Sequence, residues 1–282
     1  HYGLARGFGE YFDDFEATKE RYGLLRFGDA PQRPADETTE LLLEWLDEHG
    51  AEPFAVLLHL FDAHDPAFVP PREFLEGRLS FALPEELGRY VSDPAMLGLV
   101  ADPRRIVELY DAELAFMDGE IERVLERLAL LGVRDETLVV VTADHGEAFG
   151  EHNFYTHGLL YREHLQVPLV FQGPGLPAGR VIGARARLVD VFPTLVELFG
   201  LPLPTGLQDG QSLVDWIDGE PARDRDLYAE VHHAENDQLG REAEMYTLVR
   251  GRWKYLHRPA SGRHELFALA AGYFRNIVYV PL

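Results

Sequence analysis

The sequence predicts an α/β sandwich with a mostly parallel central sheet, followed by a small antiparallel β subdomain. Three observations predict it. Apolar runs of strand length, FAVLLHLF, TLVVVTA and VPLVF, are each bounded by turn residues. Segments whose apolar residues recur every three or four positions separate them, as surface helices do. Beyond about residue 205 the pattern changes to short, alternating, aromatic stretches. Alternating strands and helices imply helices covering a parallel sheet, so the division expected is 1–205 for the α/β core and 206–282 for the subdomain.

The elements follow in order. DETTELLLEWLDEHG, from Asp36, opens with acids, carries helical periodicity and meets Gly50 where a C-cap would sit. The proline-bounded run EPFAVLLHLF reads as a strand covered on both faces, with Asp62 and His64 just past its end. From Asp102 to Leu131, Ile106, Tyr110, Leu114, Met117, Ile121, Val124, Leu128 and Leu131 mark one long amphipathic helix. Asp111, Glu113 and Asp118 on it read as a solvated face rather than as ligands. TLVVVTAD (137–144) and VPLVFQGPG (167–175) are further strands. LVDVFPTLVELFG is a helix with Asp190 as N-cap, Pro193 in its first turn and Gly200 at its end. DLYAEVHH, EMYTLVRGRWKYLHR and HELFALA are strands, with Arg250-Gly251 at a hairpin turn.

Composition narrows the function. A chain of 282 residues with 46% apolar content buries a substantial core, and no run approaches the length of a membrane span. Twenty-six basic against 48 acidic residues give a net charge of -22, which repels nucleic acid and anionic lipid. A GC-rich genome or a salt-adapted surface would produce the same bias. Lys19 and Lys254 are the only lysines, so phosphate-binding lysines have almost no candidates. The absence of cysteine excludes disulfides, thiolate metal sites and a cysteine nucleophile within these residues. The opening HYGLARGFGEYFDDF, with no initiator Met and no targeting segment, reads as a cut into a longer chain.

Chemistry concentrates at two strand ends, where ligands of open α/β sheets collect. One carries Asp62 and His64; the other carries LVVVTADHGEAFGEHNFYTHG. A carboxylate followed by an imidazole and a glycine, Asp144-His145-Gly146, supplies oxygen and nitrogen donors to a divalent cation and lets the backbone turn beside it. A buried salt bridge or a helix cap would use the same tripeptide.

TADHGEAFGEH, THG and LYREHLQVPLVFQGPG, preceded by HLFDAHDP and VELYDAELAFMD, together resemble the sulfatase family of the alkaline phosphatase superfamily. The resemblance extends from GLARGFGEYFDDF through RLVDVFPTLVELFGLPLP to RWKYLH and HELFAL. It implies a three-layer, alkaline phosphatase-like sandwich and hydrolysis of a sulfuric ester. It implies further that Asp144 and His145 ligate one divalent ion, calcium by family habit, although an imidazole ligand also suits manganese, magnesium or zinc. His64 would touch the sulfate, and His157, standing before Gly158 where many relatives have lysine, would contact the same anion. His152 serves the loop or the site and stays outside the assigned set. His59 bonds within its strand, and His232 and His233 are structural or exposed.

The substrate implied is a small-molecule or saccharide sulfate or phosphate ester. Relatives carry a nucleophile loop and a first pair of aspartate ligands on about a hundred residues ahead of HYGLARGFGEYFD. No serine here replaces that nucleophile: Ser80, Ser92, Ser212 and Ser261 fall in turns or polar loops. Phe68 replaces a tyrosine frequent in relatives, and the tail AAGYFRNIVYVPL departs from the acidic ending usual after ELFDL-like segments. Alternatives to the sulfatase reading are phosphoester or phosphonate hydrolysis, phosphoglycerol transfer, and an inactive scaffold that binds a partner. Because imidazole loses its proton near about pH 6.5 and lysine near about 10.4, His157→Lys is expected to move the alkaline limb of a complete enzyme's pH-rate profile upward. An unmoved limb would remove His157 from anion contact.

Overall fold

A computed structural model describes residues 5–14, 33–64, 69–83, 102–204, 206, 209–232, 244–270 and 278–279. The chain divides into two compact units, 1–134 and 135–282. Phe68, Ser92, His233 and most of the divergent tail lie outside the described residues.

In the first unit, helix α1 (Ala35–His49) follows Pro34 and places acids Asp36 and Glu37 in its first turn, where the helix dipole favours them. Ala35, Thr39, Leu43 and Leu46 are its buried residues. The short α2 (Arg72–Leu75) comes next. The long α3 (Pro103–Leu130) begins as the sequence predicts: Asp102 accepts from Arg104 N at 3.0 Å, and Pro103 follows it. The helix buries Leu109, Ala112 and Phe116, the first two clustered with Val69 and Leu75. Its buried face is offset from the predicted stripe, for Leu114 is exposed and Glu113 is wholly buried. Asp111 and Asp118 are exposed as expected, whereas Glu113 is not on a solvated face.

The strand expected over FAVLLHLF is not formed. Residues 53–61 run without regular secondary structure, with Val56 44% and Leu57 74% exposed. A strand exists only where neighbouring backbone takes up its N–H and C=O groups, and none of the described residues pairs with this segment.

The second unit holds the sheets. Strands β1 (Val139–Thr142), β2 (Ala148–Phe149) and β3 (Tyr155–Thr156) lead to a single helical turn, α4 (Arg162–Leu165), and then to β4 (Leu169–Gln172) and β5 (Val181–Ile182). Helices α5 (Val191–Leu198) and α6 (Val214–Asp218) follow. Strands β6 (Leu227–His232), β7 (Glu244–Arg250), β8 (Trp253–Arg258) and β9 (Arg263–Ala268) form one antiparallel sheet, and β10 (Val278–Tyr279) returns to the first.

The first sheet has the order β1-β4-β10-β5, and the mostly parallel expectation fails in it: β1 pairs β4 antiparallel, β10 pairs β5 antiparallel, and only β10 with β4 is parallel. A parallel pair needs a crossover that returns the chain to its starting end. Residues between β1 and β4 are instead spent on the β2–β3 hairpin and α4, so the chain comes back from the far end. A mostly parallel central sheet is therefore absent among the described residues. The antiparallel subdomain is present as predicted. β7 and β8 turn at Gly251 (φ 54), the left-handed conformation that a two-residue hairpin requires.

Two larger apolar clusters, and a small one of Val249 and Leu269, lie among the described residues of this unit. Leu169, Phe171, Ile182, Leu213, Trp216 and Ile217 pack with Val140, Val191 and Leu195. Leu159, Leu160 and Tyr161 pack on Met245 and Leu256 of the β6–β9 sheet, each fully buried large side chain contributing about 1.5–3 kcal/mol. Among the described residues no helix is long and apolar enough to cross a membrane.

Asp190 stands at the N-cap position of α5, as the sequence suggested, but its carboxylate does not cap that helix. Wholly buried, it accepts from Arg187 N, Arg187 Nη2, Gln211 N and Arg225 Nη2, each at 2.9 Å. Four donors to one carboxylate outcompete an exposed cap position, and Thr194 closes the turn by donating to Asp190 O at 2.6 Å. Asp190→Ala is expected to lower the unfolding free energy by about 2–4 kcal/mol in urea titration, because it leaves two partly buried guanidinium groups without their carboxylate. A loss below 1 kcal/mol, the usual size for an exposed ion pair, would make the cluster peripheral.

Candidate functional site

β1 ends at Thr142, and the chain turns through Ala143-Asp144-His145-Gly146. Gly146 is there because nothing larger fits. Its N–H donates to His164 O at 2.9 Å, and a β-carbon on it would lie 2.0 Å from Glu163 O. The LYREH segment is thus pressed against the DHG turn, backbone to backbone.

That contact sets the donors. Asp144, with 77% of its side chain exposed, accepts from His145 N at 3.0 Å. His145 Nδ1 lies 3.1 Å from Gly146 O. A carbonyl only accepts, so Nδ1 carries a proton and the neutral ring keeps its lone pair on Nε2. Nε2 is 3.9 Å from Asp144 Oδ1. That is too long for a hydrogen bond and suits two donors that each stand about 2.0–2.6 Å from one ion. This pair fits a divalent cation, and the Nδ1-to-carbonyl contact is the support that metal-bound histidines ordinarily have. Two donors fill part of a coordination shell.

His157 joins them. Its ring stacks on that of His145, centroids 4.3 Å apart, and its Nδ1 lies 3.2 Å from Glu147 Oε2 and 3.2 Å from Thr156 Oγ1. Glu147, with 4% of its side chain exposed, orients His157 and was missed in the sequence. An acid directly after DHG carries no periodic or spacing signal that would separate it from surface charge. Thr156 holds φ 69, a strained value for a β-branched residue, beside the histidine it contacts.

Two other histidines are placed here. His152 stacks flat on Tyr161 at 3.6 Å. His164 is buried, with neither ring nitrogen hydrogen-bonded. In the first unit, His64 donates its N–H to Phe61 O at 3.0 Å and rests its ring against that of Phe61, centroids 4.4 Å apart, while Asp62 is buried. The structure therefore brings Asp144, His145 and His157 together in the second unit and places His64 on the turn after residue 61.

Burial first, and then the neighbouring imidazoles of His157 and His145, push His164 down to about 4. Between about pH 4 and 6.5 the unfolded chain then binds more protons than the folded one, so this group favours folding fully above about pH 6.5 and less as the pH falls through that window. Urea unfolding at a series of pH values is expected to lose about 3 kcal/mol from this residue across the window. His164→Leu is expected to flatten that slope, and an equal slope in the variant would assign the acid lability elsewhere.

Residues 3–201 match the sulfatase family. Arylsulfatase K of Rattus norvegicus is 35% identical over 150 residues, 51% of this chain and 26% of that protein. A sulfatase of Formosa agariphila is 28% identical over 231 residues, 71% of this chain and 46% of that protein. The chain thus spans about a quarter to a half of the length of these relatives. Among solved structures, a protein in complex with its substrate D-glucosamine-2-N,6-O-disulfate is similar with a TM-score of 0.66 at 19% identity, over 87% of this chain and 65% of that one. The phosphonate monoester hydrolase of Agrobacterium radiobacter is similar with a TM-score of 0.63 at 26% identity, over 86% of this chain and 56% of that one. With the match covering most of its length, the chain belongs to the sulfatase family of the alkaline phosphatase superfamily.

Proposed function

We propose that this chain serves a metal-dependent sulfuric ester hydrolase, with Asp144 and His145 holding one divalent cation and His157 contacting the ester anion. The observation that carries the reading is the stacked pair His145–His157, in which His145 Nδ1 lies 3.1 Å from Gly146 O and His157 Nδ1 3.2 Å from Glu147 Oε2. Calcium is the ion that family habit favours; manganese, magnesium and zinc also accept an oxygen and a nitrogen donor. His64 keeps the anion-contacting role on the resemblance alone. The division at residue 205 belongs to the same proposal, with the β6–β9 sheet as the body of the second part.

The ester is an anion whose cleavage loads charge onto the departing oxygen. When bound, the cation supplies charge neutralisation at the nonbridging oxygens. His145 is held in the tautomer that offers Nε2 as a donor atom, because Gly146 O occupies the proton on Nδ1. Glu147 fixes the ring of His157, and only the doubly protonated imidazole donates from both nitrogens at once, to Glu147 and to an anion. A neighbouring dication and a substrate anion act oppositely on that proton.

Phosphoryl or phosphonyl ester hydrolysis is the second reading, favoured by the 26% identity to a phosphonate monoester hydrolase over 86% of this chain. Calorimetric titration of the full chain with calcium and with manganese tests the metal pair. Asp144→Ala is expected to weaken the tighter ion at least tenfold, about 1.4 kcal/mol, and equal affinity would sink the assignment. Turnover of nitrophenyl sulfate above nitrophenyl phosphate and phenylphosphonate separates the two readings; the reverse order selects the second.

A further inference from the structure

The β6–β9 sheet carries a further pair of histidines on the face turned away from the Leu159–Tyr161 cluster. On β8, Leu256 and Arg258 are buried, and Leu256 packs in that cluster with Met245. Successive side chains of a strand point to opposite faces, so Tyr255 and His257 face the other way. On β9, Phe267 packs inward, and His264 and Leu266 are exposed. The register Glu230↔Tyr246, Tyr246↔His257 and His257↔His264 sets four side chains in one row across the sheet.

His257 and His264 form the closer of the two kinds of cross-strand pair. Leu269 donates its N–H to Arg252 O at 2.7 Å, which makes 252 and 269 a hydrogen-bonded pair. The two kinds alternate along antiparallel strands, and the register runs unbroken from Trp253↔Ala268 to Arg258↔Arg263. Five positions on, 257 and 264 are therefore a non-hydrogen-bonded pair, of the kind whose α-carbons stand about 4.5 Å apart. Their rings lie flat on one another, centroids 4.5 Å and planes 3° apart. His264 Nδ1 lies 2.6 Å from Tyr255 Oη. The imidazole of His257 makes no hydrogen bond among the described residues and has the rings of His264, Tyr255 and Tyr246 for neighbours.

Packing alone does not call for imidazole here. Phenylalanine or tyrosine would stack as well, whereas two imidazoles directly opposite repel one another once both are protonated. What imidazole adds is a nitrogen lone pair that binds late first-row divalent ions. An ion about 2.0–2.1 Å from each nitrogen spans donors up to about 4 Å apart, a separation that these stacked rings reach by tilting toward one another. Tyr255 supplies the support: with an ion on Nε2 of His264, Nδ1 keeps its proton and donates it to Tyr255 Oη, as metal-bound histidines ordinarily do. Glu230 in the same row, Glu244 on the same face of β7 and the net charge of -22 raise the local concentration of cations.

We propose that His257 and His264 form a two-imidazole site for a late first-row divalent ion, nickel, copper or zinc, with water completing the shell and copper the tightest. The site shares no residue with the Asp144–His145 pair and does not depend on the sulfatase reading. The ion ties β8 to β9 beside the 259–262 turn. Because the unfolded chain does not hold the two rings together, the bound ion stabilises the folded one.

Long-range 1H–15N spectra of the full chain, labelled at histidine, follow each imidazole separately and test the site with zinc and calcium as probes. Zinc is expected to shift the ring nitrogens of His257 and His264 together, with one dissociation constant, and calcium at the same concentration to leave both unmoved because it takes oxygen donors. His257→Gln is expected to weaken zinc at the His264 ring tenfold or more, and His264→Gln likewise at the His257 ring, in chains with unchanged circular dichroism spectra. Asp144→Ala is expected to leave both rings' titration as it is, which separates this site from the pair at the DHG turn. Rings that titrate with separate constants, no shift at either ring in millimolar zinc, an equal response to calcium, an unweakened remaining ring in the single variants, or loss of the shifts in Asp144→Ala would each overturn the proposal. The first three of these results come from the unsubstituted chain, so the test stands even where a variant fails to fold.

Discussion

The second unit depends on one close approach between backbones. Gly146 donates to His164 O while its α-carbon stands where a side chain would strike Glu163 O. Any other residue forces the DHG turn away from the LYREH turn, and with it the pairing of His145 Nε2 and Asp144 and the stacking of His145 on His157. The histidines are therefore positioned through the main chain, which is stiffer than any side-chain link between them. The LYREH turn is in its own turn anchored, because Leu159, Leu160 and Tyr161 are buried on the β6–β9 sheet and Lys254 donates to Leu160 O. An antiparallel sheet nearly a hundred positions away in sequence thus bears on the geometry of the DHG turn.

Much of this was legible in sequence, and the reasons differ by element. Helix α3 announced itself because its apolar residues recur every three or four positions from Ile106 to Leu131, and a long amphipathic repeat has no competing explanation. The β7–β8 hairpin was readable from Arg250-Gly251, since the turn's backbone conformation selects glycine. Asp144, His145 and His157 were legible as a group because short loops at a strand end keep neighbours in sequence near in space. Their surroundings were not. Glu147 and Tyr161 acquire meaning only through partners that packing supplies, and a lone acid or tyrosine in a loop looks like any other.

The errors share a cause. FAVLLHLF has the composition of a covered strand, yet composition reports the preference of a segment and not whether a neighbour is present to satisfy it. The parallel sheet failed for the same reason, since strand direction is set by what the connecting residues do, and the β2–β3 excursion was not visible as a reversal. Asp190 does stand at the N-cap of α5, but its carboxylate turns to Arg187, Gln211 and Arg225, which come from three places in the chain. The same limit hid Glu113, whose burial no helical pattern would suggest.

The Asp190 cluster also bears on how this unit comes apart. Its donors sit on segments that would otherwise fray independently, and a carboxylate cannot release one guanidinium group while staying dry beside the other without exposing charge to an apolar surround. Opening any one segment therefore approaches the free energy of opening all of them. Amide protons of Arg187, Gln211 and Leu213 belong in this view to a single cooperative block that exchanges with solvent as a whole, an all-or-none behaviour imposed by one buried charge where the surrounding elements are too short to impose it themselves.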